Sequence, residues 1–224
     1  KISIEPPEKP NFNYEGVMPE HCDEGKEVDV ILRGRRYRVM AWGSEHAPVV
    51  LCIHNIFEQG LMWQELARSL SLKGYRVIAP DLLGHGLSDH VAEDGSYSLL
   101  GFVADIEALV REYEITLLSI IGHAAGCIIA AIYAASNPDT TERLILIEPS
   151  LPNEENELNF FDQQNEEMIY QDKTGKHTVV ADIKEGASKL RTSIKEVEME
   201  RVYALAGRVL QPTENGYRWT WDYK

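Results

Sequence analysis

Gly122-His123-Ala124-Ala125-Gly126 constrains this chain more than any other stretch. The run Leu117 to Ile121 is rich in large aliphatics and reads as a buried strand. The small and apolar residues from Ala125 to Ala135 read as a buried helix. A strand that turns this sharply into a helix requires residues without bulk two positions before and two after the turn. Gly122 and Gly126 supply them, with the G-x-S-x-G spacing of a nucleophile elbow. The residue at the tip is Ala124, so the scaffold for a nucleophile is expected without the hydroxyl that would attack.

The rest of the chain fits around this turn. Glu27 to Leu32 and Tyr37 to Trp42 are β-rich runs joined across Arg33-Gly34-Arg35, a hairpin pattern. Val49 to His54 is a continuous apolar run, the mark of a strand covered on both faces. Gly60 to Leu72 carries a helical apolar stripe, Tyr75 to Asp81 is a further strand, and Leu99 to Tyr113 is an amphipathic helix. After the elbow helix, Arg143 to Pro149 is strand-like and ends in Glu148. Strands alternating with helices predict an α/β fold with a doubly wound, mainly parallel sheet. The expected organisation is an N-terminal extension or linker over 1–25, a core over 26–150, an inserted helical lid over 151–215, and a return toward the core over 216–224. A capping-box pattern at Ser193-Ile194-Lys195-Glu196 falls inside the lid.

At 224 residues the chain is long enough to bury a core. Its net charge of -14 argues against a nucleic-acid partner, since phosphate binding requires a basic face. No run approaches the roughly 18 apolar residues of a membrane span, and no signal peptide is visible. Cys22, Cys52 and Cys127 lack metal or redox spacing, which suits a reducing cytoplasm, the expected location. Cys127 lies one helical turn past the elbow and is read as a buried filler, not a substitute nucleophile. His54 and His123 flank the turn region and are read as loop-ordering residues. No metal-ligand spacing and no phosphate loop appears, so no cofactor is expected.

Three ordered landmarks resemble the α/β-hydrolase superfamily: the strand ending in His54, Pro80-Asp81 followed by Gly84-His85-Gly86-Leu87-Ser88-Asp89, and the elbow at 122–126. Within it, Leu51 to Gly60, Gly95 to Leu100 and Glu148 to Asn156 look most like the thioesterases that end certain cyanobacterial polyketide assembly lines, in particular those that form terminal alkenes. The resemblance implies release of an acyl chain from an acyl carrier protein, with Ala124 where the family has serine and Glu148 at the position of the triad acid. It implies an oxyanion hole from Ala125 and from Asn55 and Ile56 after His54, with Phe57, His123, Phe160 and Arg191 as candidate substrate contacts.

The chain departs from that pattern four times. Ala124 cannot attack, Asn55 replaces the expected glycine, and no histidine follows the lid, the last being His177. The strands that would carry the catalytic histidine are also absent, so inactivity of this chain is expected. The rival reading is a non-catalytic descendant that binds or scaffolds. Leu144 to Ile147, suited to cover on both faces, is expected to be covered by 217–223, by residues beyond this sequence, or by a second copy in a homodimer.

Overall fold

The structure is a computed structural model that describes residues 25–56, 58–92, 95–149, 179–193 and 199–220. Phe57, Phe160, Cys22, His177 and the first part of the expected lid lie outside the described residues.

Strands β1 (Lys26–Leu32) and β2 (Arg35–Trp42) form the antiparallel hairpin read from the sequence. Its two-residue turn, Arg33-Gly34, has φ of 51° and 80°. Positive φ at both central positions is the turn whose twist matches that of paired strands. The chain continues through β3 (Val49–Ile53), a 3-10 turn (Gly60–Trp63), α1 (Gln64–Ser71) and β4 (Arg76–Pro80). Helix α2 (Leu99–Glu112) starts where the Ser98 hydroxyl accepts from Gly101 N–H at 3.0 Å. Then come β5 (Leu118–His123), α3 (Ala125–Ser136) and β6 (Thr141–Ile147).

The six strands form one sheet in the order β1-β2-β4-β3-β5-β6, antiparallel at β1/β2 and β2/β4 and parallel from β4 to β6. This is the doubly wound, mainly parallel architecture expected. Its two faces show why the central strands are apolar without interruption. Leu51, Ile53, Ile78 and Ile120 face one layer, against Ile106 and Leu109 of α2 and Ile129 and Tyr133 of α3. Their neighbours Val50, Cys52, Val77, Ala79 and Ile121 face the other, against Trp63 and Ala67. Successive side chains alternate sides, so a strand covered twice must be apolar at every position. Each fully buried Ile or Leu contributes on the order of 2 kcal/mol through removal from water.

Strand β6 is the last in the order, and Leu144, Ile145 and Ile147 are exposed there. Among the described residues no strand pairs along its outer edge. The described remainder comprises α4 (Ile183–Ser193), α5 (Met199–Val209), β7 (Leu210–Thr213) and β8 (Gly216–Trp219). Val180, Ala187, Val202, Ala206, Val209 and Leu210 make a small core of their own. The segment expected to return toward the core is described as far as Thr220, and β8 within it pairs with β7 in a separate two-stranded sheet. Val180 and Tyr217 exchange backbone hydrogen bonds of 2.8 Å, which ties this hairpin to the start of α4. Ser193 closes α4 instead of opening a helix, and Glu196, its expected partner in the capping box, lies outside the described residues. No described helix is long and apolar enough to cross a membrane.

Candidate active site

The elbow forms where the sequence places it. Strand β5 ends at His123, α3 begins at Ala125, and between them Ala124 has φ 47° and ψ −112°. The flanking glycines are required by backbone proximity. A Cβ on Gly122 would stand 2.5 Å from Gly126 O and 2.6 Å from Cys127 Cα. One on Gly126 would stand 2.5 Å from Ile53 O and 2.7 Å from His54 O. The turn is pinned on both sides, since Ala124 N–H donates to Ile147 O and Ala124 O accepts from Cys127 N–H, each at 3.0 Å.

A non-glycine residue in this backbone region stores about 1–3 kcal/mol. Replacing Ala124 by glycine is therefore expected to raise stability by about 1 kcal/mol, net of the greater freedom of glycine in the unfolded chain. A denaturant midpoint for Ala124→Gly at or below that of the parent would show that the turn is not strained.

Three strand ends meet at this corner, at the carboxyl edge of the sheet where α/β folds place ligands. From the loop after β3, Asn55 Oδ1 accepts Ala125 N–H at 3.1 Å. Asn55 N–H donates to Glu58 Oε2 at 2.9 Å, and the same oxygen accepts His123 Nδ1–H at 3.0 Å. His123 Nε2 lies 3.8 Å from Glu148 Oε2, beyond hydrogen-bond length. Glu148 follows β6 at φ 50°, and its side chain is 84% exposed. Trp63 stands edge-on to the His123 ring at 6.5 Å.

Of the residues singled out from the sequence, Ala124, Ala125, Asn55, His123 and Glu148 therefore gather in one place. Ile56 sits in the turn beside Asn55, partly buried. Arg191 lies in the last turn of α4. Phe57 and Phe160 lie outside the described residues. Sequence reasoning gave no role to Glu58, whose carboxylate ties the β3 loop to the end of β5. A lone acidic residue in a loop carries no signal of that kind, because its partner is 65 positions away.

The neighbouring histidine and thiol are structural. His54 is fully buried, donates from Nδ1 to Asn55 O at 2.7 Å and accepts Leu82 N–H on Nε2 at 2.9 Å. Burial, reinforced by the nearby His85 ring, pushes its pKa down to about 3, so it is neutral. Its acceptor bond orients the loop that follows β4. In that loop Asp81 accepts Gly60 N–H at 2.7 Å and Leu87 N–H at 2.8 Å, and burial pushes its pKa up to about 6. The Cys127 sulfur is buried within reach of Gly122 O at 3.1 Å and Ile147 O at 3.3 Å, and burial raises its pKa. It packs between α3 and the ends of β5 and β6.

This arrangement holds a turn, a helix N-terminus and a carboxylate–histidine pair around a methyl group. Residue 124 offers no atom that could form a covalent bond to a ligand there.

A family model described as the alpha/beta hydrolase fold matches residues 48–203. A solved thioesterase domain from the curacin biosynthetic pathway is 40% identical with a TM-score of 0.77, over 89% of this chain and 73% of that one. The serine hydrolase-like protein of Homo sapiens is 33% identical over 111 residues, 50% of this chain and 54% of that protein. Epoxide hydrolase 3 of Siraitia grosvenorii is 32% identical over 123 residues, 55% of this chain and 38% of that enzyme. The chain thus spans about half, or less, of these two curated relatives.

Proposed function

The chain belongs to the α/β-hydrolase fold family, and on that premise we propose that it is a thioesterase-type member that binds an acyl chain still attached to its acyl carrier protein and does not hydrolyse it. The observation that carries this reading is the backbone of Ala124, which keeps the turn of a nucleophile without a nucleophile. The likeness to the curacin-pathway thioesterase domain supports the substrate class, an acyl group held as a thioester. In an active enzyme of this kind a serine oxygen at 124 attacks the thioester carbon. The developing oxyanion is held by N–H groups such as that of Ala125, a histidine carries the proton, and a carboxylate orients the histidine. Glu148 is the proposed carboxylate here. A methyl group at 124 has no lone pair to attack with and no proton to pass, so the first bond cannot form.

The test is thioester hydrolysis by the chain as given and by Ala124→Ser, with an acyl group on a carrier protein as substrate. The parent is expected to show no turnover above background while still retaining the acyl-carrier species in a pull-down. Turnover by the parent, or no retention of the acyl carrier, overturns the reading. A serine variant that also stays inactive would show that a nucleophile at 124 alone does not restore turnover.

The second reading, a non-catalytic binding or scaffolding protein, is favoured by a separate observation. The Ala125 N–H that would meet an oxyanion is already taken by Asn55. A homodimer paired along β6 fits either reading.

A further inference from the structure

Two of the three expected oxyanion donors have acceptors of the chain's own. Ala125 N–H, the first of α3, meets Asn55 Oδ1 at 3.1 Å. Asn55 N–H meets Glu58 Oε2 at 2.9 Å. Both acceptors come from one short loop, and that loop is fastened at its far end, since Glu58 N–H donates to Asn55 O at 3.2 Å. Behind it, the Asn55 carbonyl also receives the His54 ring at 2.7 Å, so the loop backbone is held from below. In front, Glu58 Oε2 takes the His123 ring N–H at 3.0 Å and joins the loop to the strand that carries the elbow. The Glu58 side chain is 22% exposed and that of His123 26%, so these are partly shielded contacts with more weight than open surface pairs.

We infer that the elbow is closed by the chain itself, with Asn55 filling the oxyanion position at Ala125 and Glu58 as the latch that holds Asn55 there. The inference rests on the thioesterase-type reading of the site and adds a control on access to it. An incoming carbonyl oxygen or carboxylate must displace Asn55 Oδ1 from Ala125 N–H before it can use that donor. Displacement is opposed at two points. Asn55 must leave an N–H of α3 unpaired until the ligand arrives, and the Glu58 charge disfavours any anion nearby. The latch has a defined release. When the Glu58 carboxylate gives up Asn55 N–H and His123 Nδ1–H, the β3 loop is untied from β5, and the Asn55 amide is free to turn away. His123 then loses its bond to the loop.

The experiment uses the full chain with Asn55→Ala, which removes the plug, and Glu58→Gln, which keeps the latch's volume and removes its charge. The first readout is amide hydrogen exchange at Ala125 followed by two-dimensional NMR, which requires no ligand. The Ala125 amide of the parent is expected to be protected, and protection is expected to fall about tenfold in both variants, the effect of losing one hydrogen bond. The second readout is titration with octanoate, a carboxylate on an acyl tail. Both variants are expected to bind it at least about tenfold more tightly than the parent, with shifts centred on Ala125. Should Asn55→Ala not fold, Glu58→Gln decides the matter alone. Equal exchange in parent and variants, or equal affinity for octanoate, refutes the latch. Loss of protection without any gain in octanoate binding reduces Asn55 to a helix cap and also refutes it. Exchange at Ala125 is independent of any thioester, so a failed carrier-protein assay leaves this result standing.

Discussion

Gly126→Ala is expected to cost about 3 kcal/mol, although alanine is the better helix former. The added methyl carbon would lie 2.5 Å from Ile53 O, 2.7 Å from His54 O and 3.0 Å from Ile53 C. These are main-chain atoms at the end of β3, and β3 is held on both sides by β4 and β5. No side chain is available to swing aside, so either α3 lifts from the sheet or the β3 end moves. Lifting α3 would separate Ile129, Ala130 and Tyr133 from the cluster they fill with Leu51 and Ile120. Moving the β3 end would disturb the His54–Leu82 bond. Gly207 in α5 gives the contrast, since a Cβ there meets nothing within 4 Å among the described residues. Gly207→Ala is expected to stabilise by up to about 1 kcal/mol through helix propensity alone. Thermal unfolding would separate the two variants, with a fall of about 6–12 °C for Gly126→Ala and a small rise for Gly207→Ala. An unchanged melting temperature for Gly126→Ala would mean that the helix is not packed on β3 as described.

Gly122 and Gly126 show how much of this protein is legible in its sequence. Their spacing around Ala124 predicts the elbow because the constraint is local: a strand and a helix joined by one residue must pass within touching distance. The central strands are legible for a related reason, since cover on both faces leaves no polar position between Val49 and Ile53 or between Val77 and Ala79. What joins the elements across the chain is not legible in this way. Asn55 reads in sequence as a lost glycine and hence a lost bend. In the structure its side chain does the opposite of leaving a gap, by occupying the Ala125 donor. Glu58 carries no pattern at all. Its role exists only once the β3 loop and the end of β5 lie side by side. The hairpin of β7 and β8 is a further case, because Tyr217 to Trp219 suits any strand partner. Its bonds to Val180 and to the end of α5 are set by the small core there. Strand β6 has the apolar run of a covered strand, and a run of that kind specifies the need for cover without specifying which segment supplies it.

Below the elbow, two buried groups with opposed titrations are expected to hide each other's effect on stability. Burial holds the His54 pKa at about 3 against an ordinary 6.5, so on acidification the unfolded chain takes up this proton first. Stability from this group is complete above about pH 6.5 and falls by about 1.4 kcal/mol per unit as the pH drops toward 3. Burial holds Asp81 at about 6 against an ordinary 3.8, so here the folded chain takes up the proton first. Its contribution grows by about 1.4 kcal/mol per unit as the pH drops from about 6 to 3.8 and is lost again as the pH rises. In the window from about pH 6 to 4 the two slopes cancel. Single substitutions are expected to uncover them with opposite signs. Asp81→Asn leaves the His54 slope alone, so stability should fall by roughly 2–3 kcal/mol between pH 6 and 4. His54→Gln, which retains an acceptor for Leu82 N–H, leaves the Asp81 slope alone, so stability should rise over the same interval. Each variant also starts lower than the parent. Asn offers one acceptor where Asp81 serves both Gly60 and Leu87, and an unpaired buried N–H costs about 1–3 kcal/mol. The measurement is denaturant unfolding of the parent and both variants at pH 6, 5 and 4, compared by slope and not by absolute stability. Parallel slopes in the two variants would show that one of these groups is hydrated in the folded protein and not enclosed beside β4.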